Sequence, residues 1–204
     1  THPIQLLIGY TEDEMLQGVA EGTDEQVRAW IDENFGPYAE EYLQACRERA
    51  ERLQIPLGEA SLVNPNENST RIAAYALSRQ GRKVYAYAFD PTIPGDDAGS
   101  FHSSDLWFSF ETLMKCWRPF NGHHYDLARQ MCNYWTNFAR TGDPNGLDSD
   151  GKPMVQWSPF TEKSPLVLHL YDEIAMEKPE EADKKREVML RSNQEAYTAQ
   201  MGGK

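Results

Sequence analysis

The run Ile4-Gln5-Leu6-Leu7-Ile8-Gly9 is apolar apart from one glutamine and closes on a glycine. A strand with one wet face alternates apolar and polar residues, so a nearly continuous apolar run predicts a strand buried on both faces of a parallel sheet. Parallel neighbours need a crossover of a dozen or more residues between them, usually helical. The sequence supplies it. Thr23-Asp24-Glu25-Gln26 is a helix-start signal, followed at helical spacing by Val27, Trp30, Ile31 and Asn34 and stopped by Gly36-Pro37. A second helix is expected from Tyr38 to Leu53, a turn-rich loop from Pro56 to Asn68, and a third helix from Ser69 to Gln80 closed by Gly81.

Lys83-Val84-Tyr85-Ala86-Tyr87-Ala88-Phe89 then reads as a second strand, with a Pro- and Gly-containing loop running to Gly99. Asp105 to Met114 suggests a short aromatic helix. Tyr125 to Arg140 is a longer one, with Leu127, Met131, Tyr134, Trp135 and Phe138 on one stripe and Gly142 at the capping position. Leu166 to Leu170 is a further strand, and Pro179 to Ala199 a charged terminal helix. There is no repeat, low-complexity tract or obvious linker, so residues 1–204 are expected to form a single α/β segment with a mostly parallel sheet flanked by helices.

Composition removes several classes of function. Twenty Lys and Arg against 32 Asp and Glu give a net charge of −12, a field that repels phosphate backbones and anionic lipid headgroups. Neither nucleic acid nor a membrane surface is expected as a partner, and no apolar run approaches the ~20 residues that span a bilayer. The local excess at Glu177, Glu180, Glu181 and Asp183 is offset by Lys184, Lys185 and Arg186 and reads as a solvated helix face. Cys46, Cys116 and Cys132 match no zinc or redox spacing, and reduced thiols point weakly to the cytoplasm. A start at Thr1 without an initiator Met is read as that of a processed or excised piece.

Catalytic groups of open parallel sheets gather beyond the carboxyl ends of the strands. The loop after Gly9 carries Glu12, Asp13 and Glu14; the loop after Phe89 carries His102. A carboxylate followed by a histidine is the order of acid and base in an α/β-hydrolase triad, where the serine comes first. The carboxylate fixes the imidazole tautomer, and the free nitrogen takes the serine proton as the hydroxyl attacks an ester carbonyl.

The surrounding residues give this pair a context. Ile8-Gly9-Tyr10-Thr11-Glu12-Asp13-Glu14 resembles the strand and turn bearing the catalytic acid of the type B carboxylesterase (carboxylesterase/cholinesterase) family. Gly99-Ser100-Phe101-His102-Ser103-Ser104-Asp105-Leu106-Trp107-Phe108-Ser109-Phe110 resembles that family's histidine loop and the helix after it. Tyr134-Trp135-Thr136-Asn137-Phe138-Ala139-Arg140-Thr141-Gly142-Asp143-Pro144-Asn145, followed by Trp157-Ser158-Pro159-Phe160, is similar to its late helix, its Gly-Asp-Pro-Asn turn and its Trp-Pro-x-Tyr.

The resemblance implies the C-terminal part of an α/β-hydrolase fold, Glu14 as triad acid, His102 as triad base, a small-molecule carboxylic ester as substrate and no metal or organic cofactor. Two departures stand out. The family usually has glycine after the catalytic Glu where this chain has Met15, which leaves Glu12 or Asp13 as fallback acids; and no Gly-x-Ser-x-Gly occurs in the 204 residues. The nucleophile and oxyanion hole are therefore expected on an N-terminal part of the same protein, this chain alone is expected to be inactive, and an exposed sheet edge is expected to drive self-association or dependence on an N-terminal fragment. The alternative is a non-catalytic, cholinesterase-like binding or scaffolding module.

Other constellations are weaker. His123, His124 and Asp126 are a candidate metal set, but adjacent histidines at a helix start do not easily face one ion. Asp143, Asn145, Asp148, Asp150 and Gly151 fail the EF-hand spacing at Gly146 and Trp157. Trp107, Phe108, Phe110 and Trp117 are either an ester pocket or core, with core the simpler reading. His2 and His169 read as structural, and Cys132 as a small buried apolar group.

Overall fold

The computed structural model describes residues 4–178 and 184–202, so His2 and the predicted start of the terminal helix at 179–183 lie outside the described residues. The chain divides into two compact units, one of residues 1–15 and 69–179, the other of 16–68 and 180–204.

The first unit holds a four-stranded sheet in the order β1 (Leu6–Thr11), β2 (Val84–Asp90), β3 (Leu168–Tyr171), β4 (Ile174–Met176). β1–β2 and β2–β3 are parallel and β3–β4 is antiparallel, which matches the mostly parallel sheet expected. β4 was not foreseen, because three residues are too few to display a period. The alternation in β2 sorts large from small side chains. Tyr85 and Phe89 pack with Leu168, Leu170, Leu127, Met131 and Tyr134 on the face covered by α6 (Gly122–Thr141). Val84, Ala86 and Ala88 pack with Ala74, Val167 and Phe160 on the opposite face, where α4 (Pro65–Arg79) lies and small side chains admit its close approach.

The Gly-Asp-Pro-Asn turn has a structural reason. Gly142 caps α6 at φ +75°, a left-handed conformation that favours glycine. Asn145 then pairs twice with the backbone of Trp157, accepting from its N–H at 2.7 Å and donating to its carbonyl at 2.9 Å. Trp157, fully buried, donates its indole N–H to the Ala86 carbonyl at 3.1 Å, so the turn is tied to the central strand.

The second unit is helical. α1 (Asp24–Phe35) starts with the expected Thr23/Gln26 capping box, and Val27, Ile31 and Phe35 pack against Tyr42, Leu43 and Cys46 of α2 (Ala39–Leu53) and Val188 and Met189 of α7 (Lys184–Gly202). The expected loop from Pro56 to Asn68 instead contains α3 (Leu57–Ser61) and the first turn of α4. Its turn residues act as caps: Pro56 and Pro65 begin helices, where a missing N–H costs nothing, and the Asn64 side chain accepts from Asn66 and Glu67 N–H at 2.9 and 3.2 Å. The expected Asp105–Met114 helix is correspondingly shorter. α5 (Asp105–Ser109) stops before Glu111, whose φ of +49° is incompatible with a continuing helix.

One buried charge pair joins the strands to α4. Arg71 donates to both oxygens of Glu177 at 3.2 and 3.3 Å, with the two side chains 3% and 4% exposed. Arg71 also donates to the Pro165 carbonyl, and Glu177 accepts from Val167 N–H, each at 3.2 Å. Removing one partner of such a pair strands the other charge in a poorly solvated site. Glu177→Ala is expected to lower the unfolding free energy by about 3 kcal/mol or more, read from the urea midpoint. A loss below about 1 kcal/mol would mean that solvent reaches the guanidinium.

Candidate functional site

β1 and β2 run in register from Leu6 opposite Val84 to Thr11 opposite Phe89, so their two following loops leave the sheet side by side. The ladder extends one bond further, from Glu12 N–H to the Phe89 carbonyl at 3.1 Å. Beyond it, Glu14 and His102 meet. The imidazole Nδ1 is hydrogen-bonded to Glu14 Oε1, between residues 88 positions apart in sequence. The other carboxylate oxygen accepts from the Thr11 hydroxyl at 3.0 Å. The Glu14 side chain is 14% exposed and that of His102 73%, so the acid is embedded while the ring is open to solvent. A neutral imidazole bonded to a carboxylate through Nδ1 carries its proton there and leaves Nε2 as the basic nitrogen.

Each partner is followed by a strained residue. Met15, directly after Glu14, has φ +53°, and Ser103, directly after His102, has φ +67°. Side chains with a Cβ reach this region at a cost of roughly 1–2 kcal/mol, and such strain clusters at functional sites. The Met15 position is the one where the resembled family usually carries glycine. Met15 takes the left-handed turn with a side chain, and the chain bears the cost.

The fallback acids have other partners. Glu12 accepts from the Tyr171 hydroxyl at 3.0 Å, and Asp13 accepts from the Ser100 N–H at 2.8 Å. Two further groups near the pair were not singled out in the sequence. Tyr87 reaches Asp105 with its hydroxyl at 3.3 Å, passing over Gly9, where any Cβ would enter the ring. Burial pushes the Asp105 carboxyl above the usual range, with the charge of Glu14 adding to the rise and His102 opposing it. Burial, then the Asp105 charge, likewise pushes the Tyr87 phenol up and keeps it a donor. The available signal was the position of Asp105, three residues after His102 at the start of α5. Asp90, at the end of β2, also has its carboxyl raised by burial, against a 2.8 Å hydrogen bond from the Ser100 hydroxyl.

The metal candidates divide. Asp126 pairs with Arg129 instead of the histidines, and Asp172 takes its place, with ligand atoms of His123, His124 and Asp172 within 4.8 Å of one another. The donor set does not suit an ion. His124 Nε2 donates to the Thr92 carbonyl at 2.8 Å while its Nδ1 accepts from Asn121 N–H at 3.1 Å, and Asp172 accepts from both Thr92 N–H and hydroxyl. In the acidic turn, Asp148 pairs with Arg129, Asp150 with Lys152, and Asp143 with Asn145.

Of the four aromatics, Phe108 is fully buried against Phe89 and Phe120, Trp107 is half-buried, and Phe110 and Trp117 are exposed. His169 stacks on Tyr171, and the Cys132 thiol donates to the Ser109 carbonyl at 3.1 Å. All three cysteines are free, and among the described residues no helix is long and apolar enough to cross a membrane.

Comparison with known proteins places this geometry in context. Residues 10–188 match the model of the carboxylesterase family. Phenmedipham hydrolase of Pseudarthrobacter oxydans is 30% identical over 189 residues, covering 83% of this chain and 36% of that protein. Acetylcholinesterase of Gallus gallus is 34% identical over 101 residues, covering 48% of this chain and 13% of that protein. This chain therefore spans about a third or less of these relatives. Among solved structures, a Geobacillus stearothermophilus carboxylesterase covers 90% of the chain at a TM-score of 0.62 and 24% identity, with 40% of its own length matched. An esterase of Clostridium hathewayi covers 95% at 0.60 and 20% identity, with 38% matched. At these identities the likeness establishes the fold, the part of an α/β-hydrolase expected from the sequence.

The strain at Met15 gives a direct test. The side chain is 70% exposed, so a glycine there loses little packing while relieving the left-handed backbone. Met15→Gly is expected to raise stability by on the order of 1 kcal/mol in urea unfolding. A destabilisation of similar size would show that the turn is not strained.

Proposed function

The chain belongs to the carboxylesterase family, and on that premise we propose that it supplies the acid and base of a serine-esterase triad, Glu14 and His102, to a protein that hydrolyses small carboxylic esters. The observation that carries this reading is the Nδ1–Glu14 hydrogen bond, formed beyond the carboxyl ends of two adjacent parallel strands.

In the proposed reaction Glu14 holds the Nδ1 proton, so Nε2 is free to take the proton of a serine hydroxyl as it attacks the ester carbonyl. The imidazolium so formed is stabilised by Glu14 and, through space, by Asp105 when that carboxyl is ionised. His102 then gives the proton to the departing alcohol. A water attacking the acyl-enzyme repeats the cycle with the same base. The serine and the donors that stabilise the tetrahedral oxyanion are assigned to a part of the protein outside these 204 residues, since no Gly-x-Ser-x-Gly occurs among them. The chemistry requires no metal or organic cofactor. A binding module would have no use for a tautomer-fixing carboxylate or for strain beside both partners, and the scaffolding alternative ranks second for that reason.

The same reading bears on association. Among the described residues β1 pairs only with β2, and the backbone groups on its other edge form no strand ladder. An open apolar edge of this kind invites a further strand, from the rest of the protein or from a second copy.

Two measurements follow. The chain alone is expected to leave a p-nitrophenyl ester at the buffer rate, with hydrolysis appearing on co-expression with a nucleophile-bearing part and falling by about 10⁴-fold in His102→Ala; a nitrophenol burst from the chain alone would overturn the division of the triad. In sedimentation the chain alone is expected to associate as its concentration rises, and a monomer throughout would remove the role given to the β1 edge.

A further inference from the structure

Ser100 is completely buried, two residues before His102, and its polar atoms all turn to acidic residues of other segments. Its N–H donates to Asp13 Oδ2 at 2.8 Å, and its carbonyl accepts from Asp13 N–H at 3.3 Å. The side chain and backbone of Asp13 thus pair with the backbone of Ser100 at two points, as a short bridge between strands would. The Ser100 hydroxyl lies 2.8 Å from Asp90 Oδ1 and 3.3 Å from Asp13 Oδ2. A hydroxyl has one proton, and the shorter contact assigns it to Asp90. Asp13 immediately precedes Glu14. The bridge therefore joins the acid loop to the histidine loop one residue from the acid and two from the base.

Gly99 belongs to the same arrangement. Its φ is +63°, and a Cβ there would enter the Asp13 carboxylate. Only glycine lets that carboxylate reach the Ser100 N–H. Neither Asp13 nor Ser100 bonds to the imidazole, so any effect on it must pass through the loop.

We propose that Asp13 is a positioning residue, which through its two-point bridge to Ser100 holds His102 in the orientation that bonds Nδ1 to Glu14. The proposal rests on the reading of Glu14 and His102 as acid and base. It gives the aspartate beside the acid a task of its own. The bridge compensates for the exposure of the ring: with 73% of its side chain in solvent, His102 has little packing to orient it, and the loop must do so.

The test uses proton NMR of this chain, following exchange of the low-field His102 Nδ1 proton with solvent, with the amides of Ala86 and Ala88 in β2 as controls. Asp13→Ala is expected to speed Nδ1–H exchange roughly tenfold, the order produced when one or two net hydrogen bonds are lost from a local opening equilibrium, with the β2 amides unchanged. Asp13→Asn keeps an acceptor at the bridging position and is expected to stay within about twofold of wild type. Should Asp13→Ala fail to fold, Gly99→Ala asks the same question with Asp13 in place, and is expected to match the roughly tenfold rise. Wild-type exchange in the first or third variant overturns the proposal, as does an equal rise at Ala86 and Ala88, which would mark Asp13 as a general stabiliser. Glu14→Gln separates the two levels. Loss of the low-field signal supports the acid–base pair whatever Asp13 does, while an unchanged signal overturns the pair and the proposal together.

Discussion

The register of β1 against β2 is the constraint on which the site depends. Pairing Gly9 with Tyr87 puts the one residue without a side chain under a tyrosine ring and lets the Tyr87 hydroxyl reach Asp105. A slip of one residue would place Ile8 or Tyr10, each with a side chain, under that ring. The same register brings the acid loop and the histidine loop out at one level. Without it Glu14 and His102, 88 residues apart, would have no fixed relation. Register is held by β2, whose aromatics lock against α6 while its alanines accept α4.

Strain and burial follow from this placement. Two loops leaving adjacent strands must turn sharply to bring their side chains together, and each does so through a residue with positive φ just beyond the functional group. Gly99 and Gly142 take such turns as glycines, whereas Met15 and Ser103, like Gln54 and Glu111, carry side chains there. The electrostatics are similarly uneven. Asp90 and Asp105 are carboxyls raised by burial, while of the pair Glu14 is embedded and His102 is open to solvent.

Much of this was legible in the sequence, for physical reasons that also explain the remainder. The apolar runs at Leu6 to Gly9 and in β2 are long enough to mark strands, so the parallel pairing and the loops to inspect could be read directly; burial on both faces holds for β2, whereas Leu6 to Gly9 are half-buried, β1 being an edge strand among the described residues. The strand itself lies a little later, Leu6–Thr11, because polar Thr11 continues the ladder. Pro56 to Asn68 was misread because Pro, Asn and Ser serve equally as turn formers and as helix caps, and only the packing of Gly58 and Ala60 into the helical unit decides between them. β4 was too short to have a period. Asp126 looked like a partner for His123 by proximity in sequence, whereas the carboxylate that reaches the histidines comes from Asp172 on the turn after β3, which no local pattern reveals.

The roles within the acidic turn Glu12-Asp13-Glu14 show where sequence reasoning stops and geometry begins. Three carboxylates in a row, all loop residues after a strand, are interchangeable by composition. The turn points them in three directions: Glu12 to Tyr171 across the sheet, Asp13 to Ser100, Glu14 to His102. Once Glu12 has become the acceptor of a half-buried phenol and Asp13 the bridge between loops, Glu14 is the carboxylate left to meet the imidazole. On the proposed reading, the choice of acid follows from what its neighbours are already bonded to, and the Thr11 hydroxyl occupies its second oxygen. An acid tied at one oxygen by its own strand has a single direction left for the other, and that direction fixes where the ring must lie.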